Sequence, residues 1–340
     1  MNKKVVTIND VAKKAGVSPS TVSRVISKNP KISAPTREKV LRHMEEMGYH
    51  PNAIARSLAS KKSGAIGVIM PTTSQDLFLN PFFPEALRGI VRGASNSGYD
   101  LLLSTNSDKD EEIEVIKHFI LGSKVDGIIL MSSKVNDECV NYLSSLDFPF
   151  SLIGSPDGLE GQINHVDNDN FMAAYEVTTY LSMKGKKKIA MIVGDEKLIV
   201  TKKRVEGYKR ALLESNINFD ENLLYTGSFD EQTGYEYGSI IAEMEDKPDA
   251  VIVADDLVAY GAVKVFESLD VSIPEDIAVA SFNNSILSRY AATPITSVDI
   301  NAVKLGEESM KLVVQAMEKE VRGQKIITPY TIHKRKSTEG

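Results

Sequence analysis

The chain has 340 residues, 42% hydrophobic and 25% charged, enough for two or three domains with cores of their own. Its single cysteine, Cys139, excludes an intramolecular disulfide and a cysteine-rich zinc site. No apolar run approaches the ~20 residues of a membrane span, and the N-terminus lacks the apolar core of a secretory signal, so a cytoplasmic protein is expected. The net charge of −6 is unevenly spread: residues 1–62 carry 13 Lys and Arg against 4 Asp and Glu (+9), the remainder 27 against 42 (−15). A basic head on an acidic body predicts that the head alone meets a polyanion.

Residues 1–6 form a short arm with Lys3 and Lys4. In residues 7–27, TINDVAKKAGVSPSTVSRVIS, the apolar Ile8, Val11, Ala12 and Ala15 share one helical face. Thr7 and Asp10 suit a capping box, and Gly16 suits the left-handed stop. Ser18 caps a second helix with Pro19 in its first turn. Val22, Val25 and Ile26 face inward, which leaves Pro19, Ser20, Thr21, Ser23 and Arg24 outside. This is the order of a helix-turn-helix, whose second helix lays its N-terminal residues against base edges in the major groove. A third helix from Ser33 to about Met47 brings Val40, Leu41, Met44 and Met47 to the small core, and Gly48 ends it.

Residues 49–62, YHPNAIARSLASKK, can start a helix at Pro51, but one too short to stand alone in water. Ile54, Ala55 and Leu58 have nothing nearby to bury against. A segment that becomes helical only beside a partner or DNA fits this pattern; a plain flexible linker would favour Gly and Ser.

From residue 64 the period changes. Strands are predicted at 64–70, 100–104, 126–131, 149–153, 188–193, 223–226, 249–254, 276–281, near 296–298 and near 326–332. Helices are predicted at 82–97, 110–122, 137–146, 169–184, 202–215, 231–245, 256–269 and 301–320. Alternating strands and helices make right-handed βαβ units and a doubly wound α/β fold. The strands suffice for two sheets, with a break near Asn164. The expected organisation is an all-α head (1–50), a linker (51–62), and a body of two parallel-sheet subdomains. The first subdomain takes 63–163 plus about 296–325, the second 164–295 plus about 326–340.

Ligands of such folds collect beyond the C-terminal ends of the strands. The residues there are polar or aromatic: the run 72–83, Gly154 and Ser155, Asp195, Arg204, Phe229, Asp255 and Asp256, Asn283 and Asn284. Short polar groups with a few rings suit a neutral hydroxylated ligand. Of Asp255 and Asp256, one is expected to cap the following helix. The sequence has no GxGxxG after a strand, no GxxxxGK[ST], no GxSxG and no HExxH. His43, His50, His118, His165 and His333 are scattered, so no catalytic or metal residues and no cofactor are expected. The lysine run 184–188 and the basic tail 333–336 read as solvated.

TINDVAKKAGVSPSTVSRVI, SAPTREKVL, MGYHPN, VDNDNFMAAYEVTTYL, RVEGYKRAL and VADDLVAYGAVKV resemble the lactose-repressor (LacI/GalR) family over nearly the whole chain. IGSPDG and the VDNDN block are most similar to its maltose-operon regulators. The resemblance implies a body built like a periplasmic, transport-type sugar-binding protein, a hinge at 51–62, and a homodimer on a near-palindromic operator. It assigns base reading to Pro19, Ser20 and Arg24, and phosphate contacts to Thr7, Ser18, Thr21, Ser23, Ser27 and Thr36. Leu58, with Asn52 and Ala55 beside it in the hinge, matches the family's minor-groove wedge. Phe82, Arg204, Phe229, Asp255 and Asn283 form the expected effector set. Two departures stand out: Gly154 where many members carry aspartate, and Asn283-Asn284 where many carry two aspartates. The reading is a sugar-responsive repressor, without enzymatic activity, of sugar and specifically maltose or maltodextrin genes. A regulator switched by a phosphoprotein corepressor and a cytoplasmic sugar-binding protein are the alternatives.

Overall fold

The structure is a computed structural model, and it describes residues 6–27, 29–49, 62–71, 78–104 and 112–339. Asn52, Ala55 and Leu58, the arm with Lys3 and Lys4, and residues 72–77 lie outside that set. The chain divides into two units, Met1–Ser63 and Gly64–Gly340.

The head has helices α1 (Ile8–Ala15), α2 (Pro19–Ile26) and α3 (Ala34–Glu46). Both halves of the capping box form: Thr7 Oγ1 accepts from Asp10 N at 3.4 Å, and the Asp10 carboxylate accepts from Thr7 N at 2.9 Å. Ser18 Oγ accepts from Thr21 N at 3.2 Å, with Pro19 following as the first helical residue. Val11, Ala12, Ala15, Val22, Val25 and Val40 make the core. Two expectations are corrected, that Leu41 joins the core and that Ser33 caps α3. Leu41 is 47% exposed, because Val40, Met44 and Met47 share a face at i, i+4 and i+7 while Leu41 sits ~100° round the helix. Ser33 makes no side-chain cap bond; its hydroxyl pairs with Thr36 Oγ1 at 2.9 Å.

The body holds two six-stranded sheets. The first contains β1 (Ala65–Ile69), β2 (Asp100–Ser104), β3 (Gly127–Leu130), β4 (Phe150–Ile153), β5 (His165–Asn168) and β11 (Lys325–Thr328), in the order β11-β5-β4-β3-β1-β2. The second contains β6 (Ile189–Val193), β7 (Leu224–Thr226), β8 (Ala250–Val253), β9 (Ala278–Phe282), β10 (Thr296–Asp299) and β12 (Thr331–His333), in the order β12-β10-β9-β8-β6-β7. Among the described residues, every pairing within these sheets is parallel except β10 with β12. The helices between them are α4 (Phe82–Ser97), α5 (Glu112–Leu121), α6 (Glu138–Ser145), α7 (Asn170–Met183), α8 (Ile199–Glu214), α9 (Glu231–Glu243), α10 (Asp256–Ser268), α11 (Ile286–Tyr290) and α12 (Ala302–Lys319). Buried strands such as IAMIV and AVIV are apolar throughout because helices cover both faces. No helix among the described residues is long and apolar enough to cross a membrane.

Sheet membership redraws the expected subdomain borders. β5 pairs with β4 (Leu152↔His165) and stays in the first sheet, so the break falls after Asn168, not at Asn164. β10 pairs with β9 and lies in the second sheet. The single strand expected at 326–332 is two strands, one in each sheet. α12 packs along α4 on the first sheet. In the basic tail 333–336, His333, Lys334 and Lys336 are exposed as expected, while Arg335 is half-buried and donates through Nη1 to Ile295 O at 2.6 Å. Beyond it the chain is woven in: Ser337 and Thr338 are buried, Ser337 N donates to Pro294 O at 3.0 Å, and Val279 N donates to Ser337 O at 2.9 Å.

Candidate functional site

On the head, Pro19, Ser20, Ser23 and Arg24 are exposed, as are Thr7, Ser18 and Ser27, while Thr21 and Thr36 are half-buried. Caps and turn hold this surface rigid without using up its hydrogen-bonding capacity. Ser18 Oγ contacts Ser20 Oγ at 2.8 Å and Thr21 Oγ1 at 2.9 Å, a hydroxyl cluster at the N-terminus of α2. Hydroxyls at that end, backed by the positive pole of the helix, suit a phosphate. Arg24 stands one turn further along, where a guanidinium can meet a guanine edge with two bonds.

In the body, the C-terminal ends of the two sheets face each other, and loops from both meet there. Val135 N donates to Lys197 O at 2.8 Å and Ile199 N to Ser133 O at 3.1 Å, joining the segment after β3 to that after β6. This second bond also starts α8 three residues before the periodicity does. Asn80, just ahead of α4, donates through Nδ2 to Asp255 Oδ2 at 3.0 Å, a link from the first subdomain to the end of β8.

Around that link the polar residues converge. Asp255, 3% exposed, accepts from Leu257 N at 2.7 Å, which caps α10, and from Asn283 Nδ2 at 2.7 Å. Burial and the neighbouring charge of Asp256 push its pKa up to about 7, against the pull of the Leu257 amide, Asn80 and Arg204. Asp256 turns the other way: its carboxylate accepts from Ser281 Oγ, from Ser297 Oγ at 2.8 Å and from Ser285 N at 2.5 Å. Burial raises its pKa as well, and the serine hydroxyls oppose that.

Arg204, on α8, is 4% exposed. Its Nη1 donates to Ala254 O at 2.6 Å, its Nε to Asn170 Oδ1 at 3.1 Å, and its guanidinium lies 4.0 Å over the Phe282 ring. Burial pulls its pKa down to about 10, and the charges of Asp255, Asp167 and Asp256 hold it up. Asn170 Nδ2 in turn donates to Asp167 Oδ1 at 2.9 Å, and Ser155 Oγ donates to Asp167 Oδ2 at 2.7 Å. Burial raises the Asp167 pKa. The ring of Phe229 lies against the backbone of Gly194, where a Cβ would come within 2.4 Å of it. Phe82 is half-buried edge-on to Phe83.

Arg204, Asp255 and Asn283 are therefore brought together, with Phe229 at the end of the neighbouring strand β6. Asp195 is exposed and accepts from Lys197 N at 2.9 Å, a loop role only. Gly154 has φ +111° and would place a Cβ 2.9 Å from Ser133 Cβ, so this backbone disfavours the aspartate that the family resemblance leads one to expect there. Asn80, Asp167 and Asn170 were not singled out from sequence. Asp167 and Asn170 flank the end of a strand, which was the available signal; Asn80 lay within the run after β1.

The head, residues 7–52, matches the model of bacterial regulatory proteins of the lacI family, and residues 178–338 match a periplasmic binding protein-like domain. The chain is 38% identical to the HTH-type transcriptional regulator MalR of Streptococcus pneumoniae over 91% of its length and 92% of that protein's. It is similar to the lac repressor dimer bound to operator and the anti-inducer ONPF (25% identity, TM-score 0.85, 98% of this chain and 99% of that one). It is likewise similar to the transcriptional regulator CelR in complex with cellobiose (29% identity, TM-score 0.77, 98% and 99%). A helix-turn-helix with its polar face outward, two facing parallel sheets and full-length similarity agree: the chain belongs to the LacI family of transcriptional regulators.

Proposed function

We propose that this protein is a cytoplasmic, homodimeric repressor of maltose or maltodextrin utilisation genes, with operator affinity set by a sugar held between the two body subdomains. The observation that carries the reading is the cluster of buried Arg204, Asp255, Asn170 and Asp167 with half-buried Asn283 at the facing strand ends. One cation stands among three buried carboxylates, so an anionic ligand is disfavoured. Sugar hydroxyls donate to Asp255, accept from Arg204, and do both with the amides. A hydroxyl that takes the place of Asn80 on Asp255 Oδ2 exchanges a link between the subdomains for a link to the ligand. Phe229 offers a ring to the sugar's CH face.

On DNA, Pro19, Ser20 and Arg24 read bases, and the hydroxyls of Thr7, Ser18, Thr21, Ser23, Ser27 and Thr36 hold phosphates. Leu58, with Asn52 and Ala55, supplies the minor-groove wedge. Maltose specificity draws on the 38% identity to a regulator named MalR. The test is a titration of operator fragments selected with this protein, in the presence of maltose, maltotriose, cellobiose or glucose. The reading expects one α-linked sugar to change operator affinity, and operator to change affinity for that sugar by the same factor. Operator affinity indifferent to all four sugars would remove it.

A further inference from the structure

The chain passes between the two sheets three times: from β5 into α7 at 168–170, from β10 into α12 at 299–302, and from β11 into β12 at 328–331. Each passage is a few residues of backbone with its own soft dihedrals. Asn168, the last residue of β5, is 4% exposed. Its Nδ2 donates to Ile300 O at 2.8 Å on the second passage and to Thr328 Oγ1 at 2.8 Å on the third, with Thr328 O at 3.4 Å. An amide nitrogen has two hydrogens, and both are committed here. Ile300 and Thr328 are also buried, so water does not compete for these bonds.

We propose that Asn168 is the positioning residue of the switch. It gathers the three passages onto one pivot, so the subdomains turn about a shared point instead of flexing through three independent linkers. The proposal rests on reading the cleft as the effector site, because a pivot matters to signalling only if ligand changes the angle between the subdomains. The bonding next to the pivot leads to that site. Asp167, one residue before Asn168, accepts from Asn170, and Asn170 accepts from Arg204. A shift of α8 around a ligand is thereby passed to the residues flanking the pivot. Linkers free of one another would absorb such a shift locally, and the first subdomain would not feel it.

An aspartate at position 168 has the same shape but no N–H, and would aim an oxygen at two carbonyl acceptors, Ile300 O and Thr328 O, with only the Thr328 hydroxyl able to turn and donate to it. Asn168→Asp, Asn168→Ala and Thr328→Val are therefore compared with the wild-type full-length protein. In hydrogen exchange, Asn168→Asp is expected to speed amides in both 300–301 and 328–331 by roughly tenfold or more, the equivalent of two neutral hydrogen bonds. Amides of β6 and β8 keep their rates. Thr328→Val leaves the carbonyl acceptors and gives a smaller acceleration in the same two segments. Acceleration in one passage alone, or spread evenly through both sheets, overturns the pivot.

The second readout is the ratio of operator affinities with and without maltose or maltotriose. It falls towards one in Asn168→Asp while calorimetry shows the sugar still bound. A ratio equal to wild type overturns the proposal. If the wild-type protein ignores both sugars, the effector reading fails, and hydrogen exchange decides the pivot by itself.

Discussion

Head and body treat their polar groups in opposite ways. The head closes six buried apolar residues over one another and leaves the hydroxyls and the arginine of α2 in water. The body takes Arg204, Asp167, Asp255 and Asp256 inside, each 7% exposed or less. Water always supplies partners on the head, so its DNA-facing surface exists in every state of the protein. The buried cluster must satisfy itself, and each partner lost without replacement costs about 1–3 kcal/mol. A modest change of partners therefore shifts the conformational balance of the body, whereas the head only has to be placed. Reading a sequence asks for a rigid, hydrated surface; sensing a solute asks for a dry, finely balanced site.

Removing the buried cation strains this contrast hardest. Arg204→Met keeps the bulk but leaves Asp167, Asp255 and Asp256 without their shared positive charge. Loss of one side of a buried pair costs roughly 3–5 kcal/mol. Calorimetric unfolding is expected to show the body's transition lowered and the head's unmoved. A body as stable as wild type would mean that the cluster is not the self-satisfied unit described.

The same contrast explains what the sequence disclosed. The head was legible almost residue by residue because its information is local: Thr7 and Asp10 cap three residues apart, and Val11 and Ala15 repeat along one turn. Leu41 stays outside because the core-facing side of its helix is already taken by Val40, Met44 and Met47. The strand–helix alternation of the body was equally plain, but sheet membership was not. β5 and β10 sit beside passages between the subdomains, and only pairing with β4 and β9 assigns them. Arg204 carried no local mark of burial, since Asn170, Ala254 and Phe282 come from three separate elements. Asn80 read as a loop residue because its partner, Asp255, lies 175 positions away. The burial of Ser337 and Thr338 beyond the exposed basic tail was hidden for the same reason: Ser337 is held by Pro294 and Val279, which no short window contains.

Loss of the Arg24 side chain should leave stability alone. Arg24→Ala removes an exposed side chain and is expected to cost ~1–3 kcal/mol of discrimination at a single base pair. Competition binding over all single-base variants of a selected operator measures this. An unchanged preference at every position would strip Arg24 of base reading.

Proton uptake sharpens the contrast at the body. The folded pKa of Asp255 is about 7, above the carboxylate's ordinary value, so the folded state holds the proton more tightly than the unfolded chain. Its contribution to stability is then fully present at low pH and lost as pH rises towards and through about 7. Sugar affinity runs the other way, because protonation removes an acceptor for hydroxyls. Each pH unit below about 7 should weaken sugar binding by up to about tenfold, or 1.36 kcal/mol, and Asp255→Asn should flatten the profile. Calorimetry of sugar binding from pH 5.5 to 8.5, a range set by that pKa, measures both slopes. A flat wild-type profile would show that Asp255 takes no hydroxyl.

The smallest effect separates two jobs at one residue. Thr7 caps α1 through its hydroxyl and receives the Asp10 carboxylate on its amide, and it is also assigned a phosphate. Thr7→Ala should lower head stability by about 1 kcal/mol, the usual value of a lost cap, and weaken operator binding too. Thr7→Asp keeps an oxygen for the cap and brings a negative charge to the positive end of the helix, but sets that charge beside the Asp10 carboxylate, to which Thr7 Oγ1 donates at 2.7 Å, so stability should return only in part. The same charge faces DNA phosphate, so operator affinity should stay low or fall further, most of all at low salt. Head unfolding and operator titration at two salt concentrations measure these effects separately. If Thr7→Asp restored both stability and DNA binding, Thr7 would serve the helix alone, and the phosphate would have to be held by Ser18 and Thr21 at the start of α2.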